Sequence, residues 1–277
     1  MDTARVGTAP YLLNTAGSAL AGSPLAFAHR GFAPDGAENT LKALAAAHEL
    51  GFAYLETDVR ATKDGVLVVF HDEDLSRLAG DRRRIADCTA AELSALRVKG
   101  EPIPTFDELL LAFPRAHFNV DVKDAGSAAL LAKAIVRHGA HERVLVASFG
   151  GRRRRTVQRL LAGSGHRGPR LAASPGVPGV AAAVLLGNLA PLPRSAFRAV
   201  DVLQVPERRG PIRVVTQKFI DNAHAAGLQV HVWVVNDEPA MLRLLEMGVD
   251  GIMSDRADVL ARVMGRHGIW PQNRRDG

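Results

Sequence analysis

Residues 25–59 read LAFAHRGFAPDGAENTLKALAAAHELGFAYLETDV, and this stretch sets the fold class. Leu25 to Ala28 is a short apolar run of strand type, Thr40 to Leu50 is an Ala- and Leu-rich helical segment, and Ala53 to Val59 is a second strand-like run. Asn39 or Thr40 stands where a helix-capping side chain belongs, and Gly51 where a helix-ending glycine belongs. Strand, helix and strand in succession make a βαβ unit, whose two strands run parallel.

The alternation continues down the chain. Further candidate strands lie at His117 to Val122, Arg143 to Ala147, Arg170 to Ala173, Val200 to Val205, Gln229 to Val234 and Gly251 to Met253. With the first two they make about eight, the count that closes a parallel barrel. Helical segments at Ser127 to His138, Thr216 to Ala226 and Pro239 to Met247 are each followed by a stop glycine, Gly139, Gly227 and Gly248. The predicted fold is therefore α/β, a (β/α)8 TIM barrel over residues 25–262. Residues 1–24 form an N-terminal extension, and residues 263–277 a basic tail expected to be loosely ordered from Arg266 onward. One segment breaks the pattern: the strand-like Val66 to Phe70 is followed, over Asp74 to Thr105, by a basic loop and a short helix at Ala90 to Leu96. It reads as an insertion after the second barrel strand, packed beside the barrel mouth.

Composition narrows the function. At 277 residues, 47% hydrophobic and 23% charged, the chain has an ordinary globular make-up and the size of one α/β barrel, which excludes disorder as its main state. The lone Cys88 cannot pair within the chain, and residues 1–24 lack the basic start and continuous apolar core of a secretory signal, so a cytoplasmic location is expected. The densest apolar run, Val180 to Leu192, falls short of the roughly 20 residues that cross a bilayer. A net charge of +6 suits either an anionic substrate or plain solubility. Aromatic residues are 5% of the chain and do not interleave with the arginines, so nucleic acid is not an expected partner. Arg152 to Arg155 open a helix on the catalytic side of the barrel. Solvation alone accounts for four such cations, and so does attraction of an anionic substrate or transient contact with a lipid surface.

In a parallel barrel, functional groups close the strands at their carboxyl ends. The first strand ends in His29, Arg30 and Gly31, a titratable ring and a fixed cation. The second carries Glu56 and Asp58 on one face, about 7 Å apart by the strand rise. Two such carboxylates repel, and either a hard divalent metal or an arginine salt bridge resolves the repulsion. After the tight-turn pair Asp64-Gly65, a second apolar run ends in His71 and Asp72, which gives a second imidazole for proton transfer. Asn119, Asp121 and Lys123 alternate with Val120 and Val122, so Asp121 is placed to give the metal a third oxygen and Lys123 to hold a phosphate oxygen. On the far side stand Ser148, Gln204 and the run His231 to Asn236, in which Trp233 is either core or a wall against the substrate's alcohol.

Taken together, these residues resemble the glycerophosphodiester phosphodiesterases. The matching motifs are HRG at His29 to Gly31, ENT at Glu38 to Thr40, ExD at Glu56 and Asp58, TKDG at Thr62 to Gly65, HD at His71 and Asp72, HVWVVN at His231 to Asn236, and GVDGIMSDRAD at Gly248 to Asp258. The resemblance spans residue 25 to about residue 262 and implies a TIM barrel that uses Mg2+ or Ca2+ to hydrolyse small-molecule glycerophosphodiesters to glycerol 3-phosphate and an alcohol. It implies His29 and His71 as acid and base, Glu56 and Asp58 as metal ligands with Asp121 as a third, and Arg30 and Lys123 as phosphate-binding groups. Gln204 and Trp233 are added as further candidates for substrate contact. The family commonly carries Glu where this chain has Asp121, and the insertion after His71 is short beside the family's usual cap. Two other functions compete: phospholipase D-like action on lysophospholipids, and a non-catalytic barrel that binds phosphate.

Overall fold

The computed structural model describes residues 9–165 and 170–273. Eight parallel strands make the barrel: β1 (Leu25–Ala28), β2 (Tyr54–Ala61), β3 (His117–Val122), β4 (Val144–Ala147), β5 (Ala172–Ala173), β6 (Val202–Pro206), β7 (Gln229–Trp233) and β8 (Gly251–Ser254). Each is followed by a helix: α1 (Leu41–Leu50), α2 (Phe106–Ala112), α3 (Ala125–Arg137), α4 (Gly151–Ala162), α5 (Val177–Gly187), α6 (Gln217–Ala225), α7 (Glu238–Glu246) and α8 (Ala257–Arg266). Thr40 caps α1, its side chain accepting from the Ala43 N–H, and Gly51 ends it in the left-handed conformation.

The strands run β5-β4-β3-β2-β1-β8-β7-β6, so β1 pairs with both β2 and β8, as a barrel requires. The β5–β6 edge is closed differently. β5 is only two residues long, and the Asp201 side chain stands in for a ladder partner: its carboxylate accepts from the Ala173 N–H at 3.1 Å while its own N–H donates to the Ala173 carbonyl at 2.9 Å. Arg170, expected to begin this strand, instead clamps the Asp201 carboxylate through two bonds of 2.9 and 2.6 Å.

Alternation along the strands separates the two cores. On β3, Phe118, Val120 and Val122 pack outward against the helices. His117, Asn119 and Asp121 take the opposite, inward face. On β2, Leu55 and Val59 face out, leaving Tyr54, Glu56 and Asp58 inside. The amino end of the barrel is plugged by the segment before β1. Tyr11, Leu12 and Leu20 are buried against Phe27, Tyr54, Val202 and Met253. The Tyr54 hydroxyl donates to the Tyr11 carbonyl at 2.6 Å and accepts from the Leu13 N–H at 2.9 Å. Tyr54→Phe would remove the partner of both groups and leave the buried Tyr11 carbonyl without it, so a loss of about 1–3 kcal/mol in unfolding free energy is expected in a denaturant titration.

The expected loose tail is corrected over residues 269–273. Trp270 packs edge-on to Phe52 with ring centroids 4.7 Å apart and donates to the Leu50 carbonyl, while Gln272 accepts from the Ala26 N–H at 3.0 Å and donates to the Pro24 carbonyl. The start of β1 offers backbone groups that need partners, and these two side chains supply them; arginines nearby had masked that signal. Residues 1–8 of the extension and 274–277 of the tail lie outside the described residues.

After β2 the chain turns at Thr62 to Gly65 and returns as the short antiparallel strand Leu67–Val69. Residues 74–105 then form two short helices and a two-stranded ribbon around their own small core of Phe70, Leu75, Ile85, Cys88, Leu93 and Val98. β2 itself fixes the end of the hairpin beside the barrel mouth, because the Phe70 N–H donates to the Asp58 carbonyl and the Arg60 guanidinium to that of His71.

Candidate active site

The carboxyl ends of β1, β2, β3 and β8, with the hairpin end, converge on one rim. Both histidines there are backed by a carboxylate. His29 Nδ1 lies 2.6 Å from Asp255 Oδ1, and His71 Nδ1 lies 2.6 Å from Asp72 Oδ1. Each dyad fixes its ring and leaves Nε2 for other partners. His29 Nε2 is 3.8 Å from Glu56 Oε2. Burial disfavours the His29 imidazolium, yet the charge of Glu56 and the hydrogen bond to Asp255 outweigh it and hold the pKa above the ordinary histidine value.

The carboxylates have unequal protonation. Burial and the neighbouring Asp58 push Glu56 above the ordinary glutamate range. Asp58 is buried as well, but Lys123 and Arg30 hold it below the ordinary aspartate value. Lys123 Nζ sits 2.8 Å from Asp58 and 2.7 Å from Asp121, and Arg30 Nε is 3.1 Å from Asp58. Two acids facing each other across adjacent strands need a cation between them, and Lys123, two residues beyond Asp121, has the reach to supply it. The three-oxygen cradle expected at Glu56, Asp58 and Asp121 is therefore not assembled in this arrangement, and no metal-ligating group of three acids or histidines is gathered among the described residues. The donors still suit a hard divalent ion: all are carboxylates, Glu56 and Asp58 share a face, and the Asp121 Oδ1 is buried without a partner.

Arg30 does more than offer a cation. Its backbone bends into the left-handed region (φ 57°), its N–H reaches Glu56 Oε2 at 3.1 Å, and its guanidinium reaches Glu38 at 2.8 Å. Arg77, from the inserted unit, bonds both Glu38 and Asp72, so that His71, Asp72, Arg77, Glu38, Arg30 and Asp58 form one connected chain of polar contacts. Burial opposes the ionised Asp72, but Arg77 and His71 bring its pKa down to about 2.

Reading from sequence missed several positioning residues. Asn39, also left-handed (φ 59°), donates to Asp58 Oδ2 at 2.8 Å and accepts from the Thr57 hydroxyl at 2.7 Å. Asn236 accepts from the Asp255 N–H and donates to its carboxylate, and so orients the partner of His29. Asp255 directly follows β8, so the strand-end rule applied to the last strand would have found it. Arg77 gave no local signal, being defined only by how the insertion folds back.

Gln204 lies deeper in the lumen, opposite His231 in the β6–β7 register, with its buried Nε2 unpartnered. Trp233 ends β7 half-buried, its ring edge-on to Phe149 at 6.1 Å, and Phe149 in turn lies 5.5 Å from Lys123 Nζ. Ser148 spends its hydroxyl on the Val122 carbonyl. Of Arg152 to Arg155, Arg154 is buried against the Ala199 carbonyl and Arg153 reaches the Val122 carbonyl, leaving Arg152 and Arg155 exposed.

Residues 29–259 match the model of the glycerophosphoryl diester phosphodiesterase family. The chain belongs to this family. It is thus a phosphoric diester hydrolase. It is 41% identical over 260 residues, 90% of this chain and 94% of the relative, to a Mycobacterium tuberculosis protein named probable glycerophosphodiester phosphodiesterase 2. It is 28% identical to a human lysophospholipase D, with 82% of each chain covered. In fold it is similar to an Oleispira antarctica phosphodiesterase solved with the product sn-glycerol-3-phosphate, at a TM-score of 0.70 and 23% identity over 89% of this chain and 99% of that one.

Proposed function

We propose that this chain cleaves glycerophosphodiesters to glycerol 3-phosphate and an alcohol, with His29 and His71 moving the protons. The observation that supports this best is the pair of carboxylate-backed imidazoles at one rim: His29–Asp255, with Nε2 3.8 Å from Glu56, and His71–Asp72, within electrostatic reach of Asp58. One imidazole takes the proton of the attacking oxygen at its Nε2, and the other gives a proton to the leaving alcohol oxygen. Arg30 and Lys123 lie close enough to the acids to pair with them at rest and with phosphate oxygens when substrate enters.

Glu56 and Asp58, with Asp121, are the residues that would hold a Mg2+ or Ca2+ ion. Such an ion supplies charge neutralisation for the phosphodiester as negative charge builds on its oxygens.

The test is product analysis on a panel of glycerophosphodiesters with Mg2+ and with Ca2+. Release of glycerol 3-phosphate with the free alcohol is expected; release of a phosphorylated head group and free glycerol would reject the assignment. Lysophospholipid cleavage is the second reading, favoured by the apolar wall of Trp233 and Phe149, the latter 55% exposed at the mouth. Phe149→Ala should then lower activity on a lysolipid severalfold and leave a short-chain glycerophosphodiester nearly unaffected.

A further inference from the structure

We infer that the flank formed by α4 and α5 is a docking face for an anionic lipid surface. α5 reads VPGVAAAVLLG and has no charged or hydrogen-bonding side chain. A surface helix ordinarily turns a polar face to water. Here the exposed positions are Val177, Pro178, Ala181, Ala182, Leu185 and Leu186, a stripe repeating every four residues, and Leu189 continues it beyond the helix end. Leu185 and Leu189 are 65% and 66% exposed.

Charge gives the partner its sign. From Arg143 to Val200 the sequence contains ten arginines and neither Asp nor Glu, whereas the rest of the chain carries 25 Lys and Arg against 29 Asp and Glu. Arg152, Arg155, Arg159 and Arg198 are exposed, and among the described residues no carboxylate pairs with them. A groove of about 360 Å³ joins Arg152 and Arg155 to Gly176 and Pro178 at the start of α5, so the cations border the apolar stripe. Apolar side chains flanked by unpaired arginines match the acyl boundary and the anionic headgroups of a phospholipid leaflet. An acidic protein would meet the arginines but has no need of a continuous stripe of leucine and valine. The stripe also leads to the catalytic mouth: the Val177 N–H donates to the Phe149 carbonyl, and Phe149 packs against Trp233.

The test is sedimentation of the full chain with vesicles of phosphatidylcholine alone and of phosphatidylcholine mixed with phosphatidylglycerol. Binding to the mixed vesicles is expected to exceed binding to the neutral ones by about tenfold or more and to fall steeply between 50 and 300 mM salt, roughly as headgroup attraction does. Two variants, Leu185→Ser/Leu186→Ser/Leu189→Ser and Arg152→Gln/Arg155→Gln, should each lower the partition coefficient by about tenfold or more. Their melting temperatures and far-UV circular dichroism check that both remain folded. Equal sedimentation with neutral and anionic vesicles, or variants that bind as the parent does, would overturn the proposal. So would a dimer in light scattering that the triple serine variant dissolves, since the stripe would then serve a second copy of the chain. Partitioning needs no turnover, so this result stands or falls separately from the hydrolytic reading.

Discussion

His29→Ala and His71→Ala are each expected to lower kcat/KM for a glycerophosphodiester by roughly a hundredfold to ten-thousandfold, the range for loss of a general acid or base. The reason lies in how each ring is held. A free histidine would sample several orientations, whereas Asp255 fixes Nδ1 of His29 and is itself fixed by Asn236, and Asp72 does the same for His71 with Arg77 behind it. The aspartates act through the rings, so they have a signature of their own. Asp255→Asn removes one of the two influences that raise the His29 pKa, and the limb of the pH–rate profile that belongs to His29 should move to lower pH. A merely structural Asp255 would lower activity at every pH without moving that limb. Alanine at both histidines with turnover within threefold of the parent would end the acid/base assignment.

The parts of this site that were legible in the sequence share a property: they are local. His29, Glu56, Asp58 and Asp121 stand at or near strand ends that hydropathy alone defines, and strand alternation gives the face that Glu56 and Asp58 share. β1 could be bounded to the residue because it is an apolar run closed by His29, and β3 because its polar and apolar residues alternate strictly up to Lys123. β5 could not, because Arg170 is drawn out of the strand by Asp201, a contact across the barrel's open edge that only the closed fold creates. Lys123 shows the same limit in the site. Its alternation with Asp121 was readable, but its place between two acids depends on the β2–β3 register that sets Asp58 beside Asp121. The plug at Tyr11 and the dock at Gln272 were equally hidden, since their partners lie 43 and 246 residues away.

Removal of divalent ions by chelation is expected to reduce turnover roughly a thousandfold, equivalent to about 4 kcal/mol of lost transition-state stabilisation, and Mg2+ or Ca2+ should restore it. The electrostatics of the resting site carry the argument. Glu56 is pushed up because it is buried beside Asp58, and one lysine has to serve both Asp58 and Asp121. A divalent ion offers these acids more positive charge than Lys123 alone, and it is the ionised form of Glu56 that binds it. Affinity for the ion should therefore rise as the pH climbs through the elevated Glu56 pKa and weaken below it, the sign expected when protons and metal compete for one carboxylate. Binding has a readout apart from catalysis: saturating ion at a hundred times its Kd adds about 2.7 kcal/mol to stability and raises the melting temperature. Asp58→Asn should abolish that rise while leaving the barrel folded. If the parent chain showed full turnover in excess chelator and no thermal response to either ion, Lys123 and Arg30 would be the cations that neutralise the phosphodiester, and the three acids would serve to position them.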